Sequence, residues 1–240
     1  MPAPIEQLVV VLHQVRSPDN LGAVARVMAN FGFRTLRLSD PVTYAFESAR
    51  KMAVRGDAVL EGMGVARSLP EALEDTVYAC GTTSRRVEGR PALSPEVAVE
   101  RLRAHAARGR VALVLGGEKR GLSDEELGAC QDYLAIDTAA EQPSMNLAQA
   151  AAVLLFLCAR PEAKGGEREE APAGARHQTL EALRGQMEQA LGAVGFLNPQ
   201  APGHVLGELW RSLGRGGLSQ REAEMWLSAF KHLARVKAGE

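Results

Sequence analysis

Residues 110–157 constrain the fold of this chain more than any other stretch. An apolar run at 111–115 leads into a glycine-rich segment at 116–121. Ser123 then marks a helix start, because Glu126 follows three residues later and completes a capping box. A buried strand that ends in a glycine loop and is followed by a helix is typical of ligand-binding α/β proteins, since glycine lets backbone groups approach a ligand closely.

The second half of this stretch repeats the arrangement. A short apolar run at 133–136 predicts another strand, and residues 137–144 are polar and rich in turn formers. Residues 146–157 are apolar almost all round, which predicts a buried helix. Two loops that follow parallel strands lie at the same edge of a sheet, so the sequence predicts a ligand site built from both.

The preceding residues alternate between strand and helix patterns. We predict strands at 8–12, 35–38, 58–60 and 77–80. We predict helices that start near residues 21, 46, 68 and 94, with Asn20 as the N-cap of the first one. This order predicts an α/β fold with a largely parallel sheet that is covered on both faces.

The composition changes after Arg160. Residues 161–176 are mostly proline, glycine, alanine and charged residues without apolar periodicity, which predicts a flexible linker. Three amphipathic helical patterns follow, at 180–194, 204–213 and 219–236. We therefore predict an α/β domain at 1–160, a linker at 161–176 and a small all-α domain at 177–240.

Charge and cysteine content exclude several classes of protein. The 28 basic and 29 acidic residues balance, so nucleic-acid binding would need a local basic patch. Cys80, Cys130 and Cys158 are far apart in apolar surroundings, which argues against structural zinc and against a disulfide framework. The longest apolar run is shorter than the ~20 residues of a membrane span. We expect a cytoplasmic protein with no metal and no membrane contact.

Two nucleotide-binding motifs can be tested and rejected. Gly116 and Gly121 have the spacing of a P-loop, but Leu122 stands where the phosphate-binding lysine belongs. Gly62 and Gly64 begin a dinucleotide fingerprint, but Arg67 stands where close helix packing needs a glycine or alanine.

Other polar residues have an ordinary structural interpretation when each is taken alone. Asn20 and Asn146 suit helix N-caps, while Arg26 and Glu118 suit solvated surface charges. Three motifs contain these residues: Asn20-x-Gly22-x-x-x-Arg26, Leu115-Gly-Gly-Glu118-x-x-Gly121-Leu-Ser123 and Ser144-Met-Asn146-Leu-Ala-Gln149-Ala. In this order and spacing they resemble the three motifs of the SpoU-type RNA ribose 2′-O-methyltransferases of the SPOUT superfamily.

The resemblance covers about residues 5–160. The stretches at 49–53 and 81–85, together with the helical tail, are most similar to the TrmJ branch of that family, which modifies tRNA. This resemblance implies a parallel-sheet SPOUT fold with a carboxyl-terminal trefoil knot, plus a small all-α module. It also implies S-adenosylmethionine as the cofactor, and a homodimer in which the knot helices form the contact.

The resemblance also assigns site residues. The catalytic set would be Arg26, Asn20, Glu118, Ser144 and Asn146. The cofactor would lie among Thr82, Thr83, Ser84, Leu115, Gly116, Gly117, Ile136, Pro143, Ser144 and Met145. A guanidinium is not readily deprotonated, so we interpret Arg26 as a group that holds an RNA phosphate and stabilises a developing alkoxide rather than as a base.

RNA binding by a chain without net positive charge needs a basic patch. The candidates near the site are Arg16, Arg85, Arg86, Lys119 and Arg120. Arg90 is a further candidate of the same kind. The tail adds Arg211, Arg215 and Lys231, for which an ordinary surface charge is the more frequent explanation.

The function that the resemblance implies is S-adenosylmethionine-dependent 2′-O-methylation of tRNA at position 32 of the anticodon loop. Two alternatives stay open: a SpoU-type enzyme acting on rRNA or on another tRNA site, and a catalytically silent RNA-binding member of the family.

Overall fold

A computed structural model describes residues 5–43, 45–85, 87, 91–160, 174–198, 202–214 and 217–238. Their strands are β1 Leu8–His13, β2 Thr35–Ser39, β3 Gly64–Ala66, β4 Tyr78–Thr82, β5 Val111–Gly116 and β6 Asp132–Leu134. Their helices are α1 Pro18–Asn30, α2 Phe46–Ala53, α3 Asp57–Glu61, α4 Leu69–Leu73, α5 Pro95–Ala106, α6 Asp124–Gly128, α7 Leu147–Ala159, α8 His177–Ala193, α9 Pro202–Gly214 and α10 Gln220–Ala238.

The six strands form one parallel sheet in the order β3-β2-β1-β5-β4-β6, which confirms the predicted α/β class. β1 lies in the middle and is buried along its whole length. Val10 packs against the layer that contains α1, α5 and α7, and Val9 packs against the layer that contains α4 and α6. A central parallel strand covered on both faces therefore reads as an uninterrupted apolar run.

The register places several strand ends side by side. His13 pairs with Ser39 of β2 on one side and with Gly116 of β5 on the other. The chain segments that leave these strands therefore begin at one edge of the sheet, and that is where parallel α/β proteins bind ligands.

Two local predictions are wrong. Residues 58–60 belong to helix α3, and the edge strand β3 comes later, at Gly64–Ala66. Val59 and Leu60 are buried against the core, while Asp57 in the first turn suits the positive end of a helix. Three apolar residues in a row carry no periodicity, so the pattern could not separate a helix from a strand.

Asn20 is not the N-cap of α1. Ser17 caps this helix, because its side chain accepts a hydrogen bond from the backbone N–H of Asn20 (3.3 Å). Pro18 occupies the first turn, where its missing N–H costs nothing. Asn20 therefore lies inside the first turn, and its side chain is available for other partners.

The tail forms a three-helix module with its own apolar cluster, which includes Leu183 and Met187. This module is hydrogen-bonded to the sheet unit. The backbone N–H of Gln178 donates to the carbonyl of Glu74 (3.3 Å), and the Arg184 guanidinium donates to the carbonyl of Gly128 (2.7 Å). Residues 161–173 of the predicted linker lie outside the described residues, so the domain boundaries stay a prediction.

Candidate active site

A cavity of about 290 Å³ lies at the carboxyl edge of the sheet, between the loops that follow β4, β5 and β6. All ten residues predicted to bind the cofactor line it, from Thr82 in the first loop to Met145 in the third. The sequence pattern did not identify Leu134, Leu147, Ala150 and Leu154, which supply apolar wall. Their apolar side chains gave no signal that distinguishes a cavity wall from ordinary core.

Two larger cavities lie elsewhere among the described residues. One, of about 720 Å³, is lined by Tyr78 and Asp132 at the amino ends of their strands and by Trp210 of the tail. The other, of about 640 Å³, lies over α7 and is lined by Val153 and Phe156. We place the site in the smaller cavity because only there do the loops at the carboxyl ends of the strands converge.

The glycine loop at 116–121 is folded tightly on itself. The backbone N–H of Gly121 donates to the carbonyl of Gly117 (2.9 Å), and Gly121 has a φ of 65°, which glycine adopts without strain. A Cβ on Gly117 would lie 2.5 Å from the carbonyl oxygen of Gln14. The loop that lines the cavity thus needs glycine for close backbone packing.

Glu118 is a structural link and not a free surface charge. Its carboxylate accepts hydrogen bonds from the backbone N–H of Arg16 (3.0 Å), the backbone N–H of Ser17 (2.9 Å) and the amide of Asn20 (3.0 Å). Burial acts to raise the pKa of Glu118, but these bonds outweigh it and hold the pKa below its ordinary value. The carboxylate therefore fastens the glycine loop to the first turn of α1.

Asn20 extends this link to the third motif. Its side-chain oxygen accepts a hydrogen bond from the Asn146 amide (2.9 Å). The Asn146 oxygen in turn accepts from the backbone N–H groups of Ala148 (2.9 Å) and Gln149 (3.3 Å), which confirms Asn146 as the N-cap of α7. Three of the five predicted catalytic residues, Glu118, Asn20 and Asn146, thus form one hydrogen-bonded chain that starts at the cavity wall, because Glu118 lines the cavity.

The other two predicted catalytic residues are placed differently. Ser144 lines the cavity and is exposed. Arg26 lies six residues after Asn20 on α1, is also exposed, and makes no hydrogen bond or ion pair with any described residue. Within one chain it does not line the cavity. Its guanidinium is therefore available to an external anion.

The predicted RNA-binding residues differ in how free they are. Arg16 and Lys119 are exposed, and their side chains have no partner among the described residues. Arg85 donates to Asp124 (2.7 Å), and Arg120 donates to Glu126 (2.6 Å). Arg86, Arg90 and Arg215 lie outside the described residues.

Sequence reasoning missed one polar group beneath this site. His13 is only 5% exposed, and its ring lies between Ser39 (Nδ1 to Oγ, 2.9 Å) and Glu126 (Nε2 to Oε1, 2.8 Å). The capping box that contains Glu126 was visible in the sequence, and the structure confirms it. Nothing in the pattern indicated that a histidine 113 positions away would reach the same carboxylate.

Metal and membrane features can be assessed for the described ranges only. In these, no three residues among histidine, cysteine, aspartate and glutamate come together in a way that could hold a metal ion. None of the helices there has the length and apolar character to cross a bilayer.

Comparison with known proteins gives a consistent family match. Residues 7–156 match the model of the SpoU rRNA methylase family. The chain is 32% identical to the tRNA (cytidine/uridine/adenosine-2′-O-)-methyltransferase TrmJ of Pseudomonas aeruginosa, with 98% of this chain and 96% of that protein covered. It is also 32% identical to the tRNA (cytidine/uridine-2′-O-)-methyltransferase TrmJ of Escherichia coli K12, with 91% of each covered.

Among solved structures, TrmJ from Z. mobilis ZM4 superimposes with a TM-score of 0.78 at 25% sequence identity. The superposition covers 94% of this chain and 98% of that one, so it includes the helical tail as well as the sheet.

Proposed function

This chain belongs to the SpoU rRNA methylase family, and on that premise we propose that it is a tRNA ribose 2′-O-methyltransferase of the TrmJ type that uses S-adenosylmethionine. The observation that carries the proposal is the cavity at the carboxyl edge of the sheet. Three loops distant in sequence converge there, beside the hydrogen-bonded chain of Glu118, Asn20 and Asn146.

The residues around this cavity fit S-adenosylmethionine. Its apolar side chains, among them Leu134 and Leu154, suit a flat base, while the hydroxyls of Thr82, Thr83 and Ser144 suit polar groups. When bound, the sulfonium supplies a methyl group that is already a strong electrophile. The protein then has to orient the ribose and help its 2′-hydroxyl lose a proton.

We assign that task to Arg26 and the linked motifs. The free guanidinium of Arg26 would hold an RNA phosphate through two parallel hydrogen bonds and stabilise the developing alkoxide. Asn20, Glu118, Ser144 and Asn146 would orient the ribose and the loops around it. Arg16 and Lys119, whose side chains are exposed and unpartnered, are the strongest candidates for further phosphate contacts near the site.

The proposal is tested by incubating the protein with unmodified tRNA transcripts and S-adenosylmethionine, and by mapping 2′-O-methyl groups along the product. We expect methylation at position 32 of the anticodon loop, and none when that nucleotide carries a 2′-deoxyribose. Methylation confined to another tRNA site or to rRNA would support the broader SpoU assignment and overturn the TrmJ-type one.

Calorimetry with S-adenosylmethionine distinguishes the enzyme from the catalytically silent alternative. An enzyme of this family must bind S-adenosylmethionine, whereas a silent RNA-binding member need not do so. If the protein bound tRNA but showed neither cofactor binding nor methyl transfer, the enzymatic proposal would be refuted in favour of the silent RNA-binding alternative. We further propose that the protein works in the cytoplasm. The carboxyl-terminal trefoil knot stays a prediction from the family resemblance.

We also propose that the protein is a homodimer whose contact surface includes α7. This helix is apolar apart from Gln149, yet Val153 and Phe156 are 36% and 49% exposed in the single chain. Phe156 packs edge-on against Phe31 of α1, with 6.0 Å between ring centroids. A contiguous apolar face of this kind marks an interaction surface, because monomeric proteins rarely expose one.

The dimer predicts that Phe156→Glu yields a monomer, since a charge buried without a partner in an apolar contact is strongly unfavourable. Light scattering after gel filtration measures the mass. Phe196→Glu is the matched control, because Phe196 is 58% exposed in the helical tail and does not belong to α7, so its substitution should leave the mass unchanged. A Phe156→Glu protein with the mass of the unmodified protein would exclude α7 from the contact.

A further inference from the structure

A hydrogen-bond network centred on the buried His13 ring connects the end of β1 to the glycine loop. It starts at His13, whose neighbours across the sheet are Ser39 and Gly116, the residue at which the loop begins. The His13 ring contacts Ser39 through Nδ1 and Glu126 through Nε2. A buried imidazole with side-chain partners on both nitrogens is fixed in orientation.

Glu126 is the centre of this network. Besides His13, its carboxylate accepts two hydrogen bonds from the Arg120 guanidinium (2.6 and 3.1 Å) and one from the backbone N–H of Ser123 (2.7 Å). Burial opposes ionisation of Glu126, but these bonds outweigh it and lower its pKa to about 2. The carboxylate is therefore charged throughout the neutral range.

Arg120 connects the network to the glycine loop. It belongs to the loop itself, and it also donates to the Gln14 side chain (2.9 Å), which follows His13 in the chain. The Gln14 amide donates to Asp40 (2.8 Å), and its backbone carbonyl lies against Gly117. The first residues of the loop are thus held to the end of β1 by backbone packing. Its last residues are held there by side chains.

We propose that His13 and Glu126 are positioning residues that hold the glycine loop in the shape that receives S-adenosylmethionine. Neither side chain lines the cavity, so both act through the loop. The inference rests on the proposed function for the identity of the cofactor. It also gives Arg120 a role in fixing the loop, in addition to its predicted contact with RNA.

The two ring nitrogens of His13 allow a test that distinguishes a positioning role from ordinary packing. His13→Gln places an amide near the former Nε2 and keeps the contact with Glu126. His13→Asn places one near Nδ1 and keeps only the contact with Ser39. Because a hydrogen bond to a charged group is lost, we expect His13→Asn to weaken cofactor binding about 10-fold or more, and His13→Gln to restore most of it.

Calorimetric titration of the full-length protein with S-adenosylmethionine in the absence of RNA measures this affinity directly. Steady-state kinetics adds a second readout. A positioning role raises the KM for the cofactor in His13→Asn and leaves kcat nearly unchanged, because the loop still forms once the cofactor is bound.

Glu126→Gln covers the case in which His13→Asn does not fold. Glutamine still completes a capping box, so the start of α6 is kept while the charge that binds His13 and Arg120 is lost. The matched control is Glu222→Gln, which alters the equivalent capping box with Ser219 at the start of α10. We expect weaker cofactor binding for Glu126→Gln and unchanged binding for Glu222→Gln.

The outcomes separate this inference from the proposed function. If the unmodified protein does not bind S-adenosylmethionine, the proposed function and the positioning role are both refuted. If it binds the cofactor and methylates tRNA, but His13→Asn and His13→Gln have equal affinities, or Glu126→Gln binds as tightly as Glu222→Gln, the positioning role alone is refuted.

Discussion

Replacing Arg26 with alanine should lower methyl transfer by about 100-fold to 1,000-fold, the range seen when one stabilising donor is removed from an active site. Affinity for S-adenosylmethionine should stay close to that of the unmodified protein. Arg26 does not line the cavity and has no partner among the described residues, so its loss disturbs neither the pocket nor the fold. Single-turnover methylation of tRNA and calorimetry with the cofactor measure the two quantities separately.

The conservative variant Arg26→Lys sharpens this prediction. Lysine keeps the positive charge but cannot present two parallel donors to a phosphate, so we expect it to remain far below the unmodified protein. Arg34→Ala is the matched control, because Arg34 is also exposed and unpartnered but lies at the opposite, amino-terminal edge of the sheet. Methylation by Arg26→Ala at the level of Arg34→Ala would exclude Arg26 from catalysis.

The sequence contained enough to predict how the site is assembled, because its elements follow local rules. The capping box at Ser123 and the N-cap at Asn146 are read from short spacings, and the structure has both. The continuous burial of β1 follows from its unbroken apolar run. Once the strands are parallel, the loops after them must lie at one edge, and the ten predicted cavity residues do lie there.

What the sequence could not provide depends on contacts between distant segments. Glu118 resembled a surface charge because its partners precede it by about a hundred positions. Asn20 resembled an N-cap because the local pattern cannot show that Ser17 takes that role and leaves the amide free to link two other motifs. His13 ends an apolar strand, and only the register of β1, β2 and β5 places it beside Ser39 and under the loop.

The second large effect that we expect is that of Gly116→Ala in the glycine loop. A Cβ at this position would lie 2.3 Å from the backbone carbon of Gly121 and 2.5 Å from the backbone nitrogen of Leu122. These atoms cannot rotate away as a side chain would, and Leu122 is itself only 1% exposed. The loop would have to open, and with it the cavity that it lines.

We therefore expect Gly116→Ala to lose measurable binding of S-adenosylmethionine and to be less stable by about 1–3 kcal/mol, the usual cost of overpacking. Calorimetry and urea unfolding measure the two effects. Gly128→Ala provides the control, since only the Arg184 guanidinium, at 4.0 Å, lies within 4 Å of the added carbon. Alanine within a helix should even favour folding slightly. If Gly116→Ala bound the cofactor as tightly as Gly128→Ala does, the close packing of Gly116 against Gly121 would not be required for binding. The cofactor site would then lie outside this cavity.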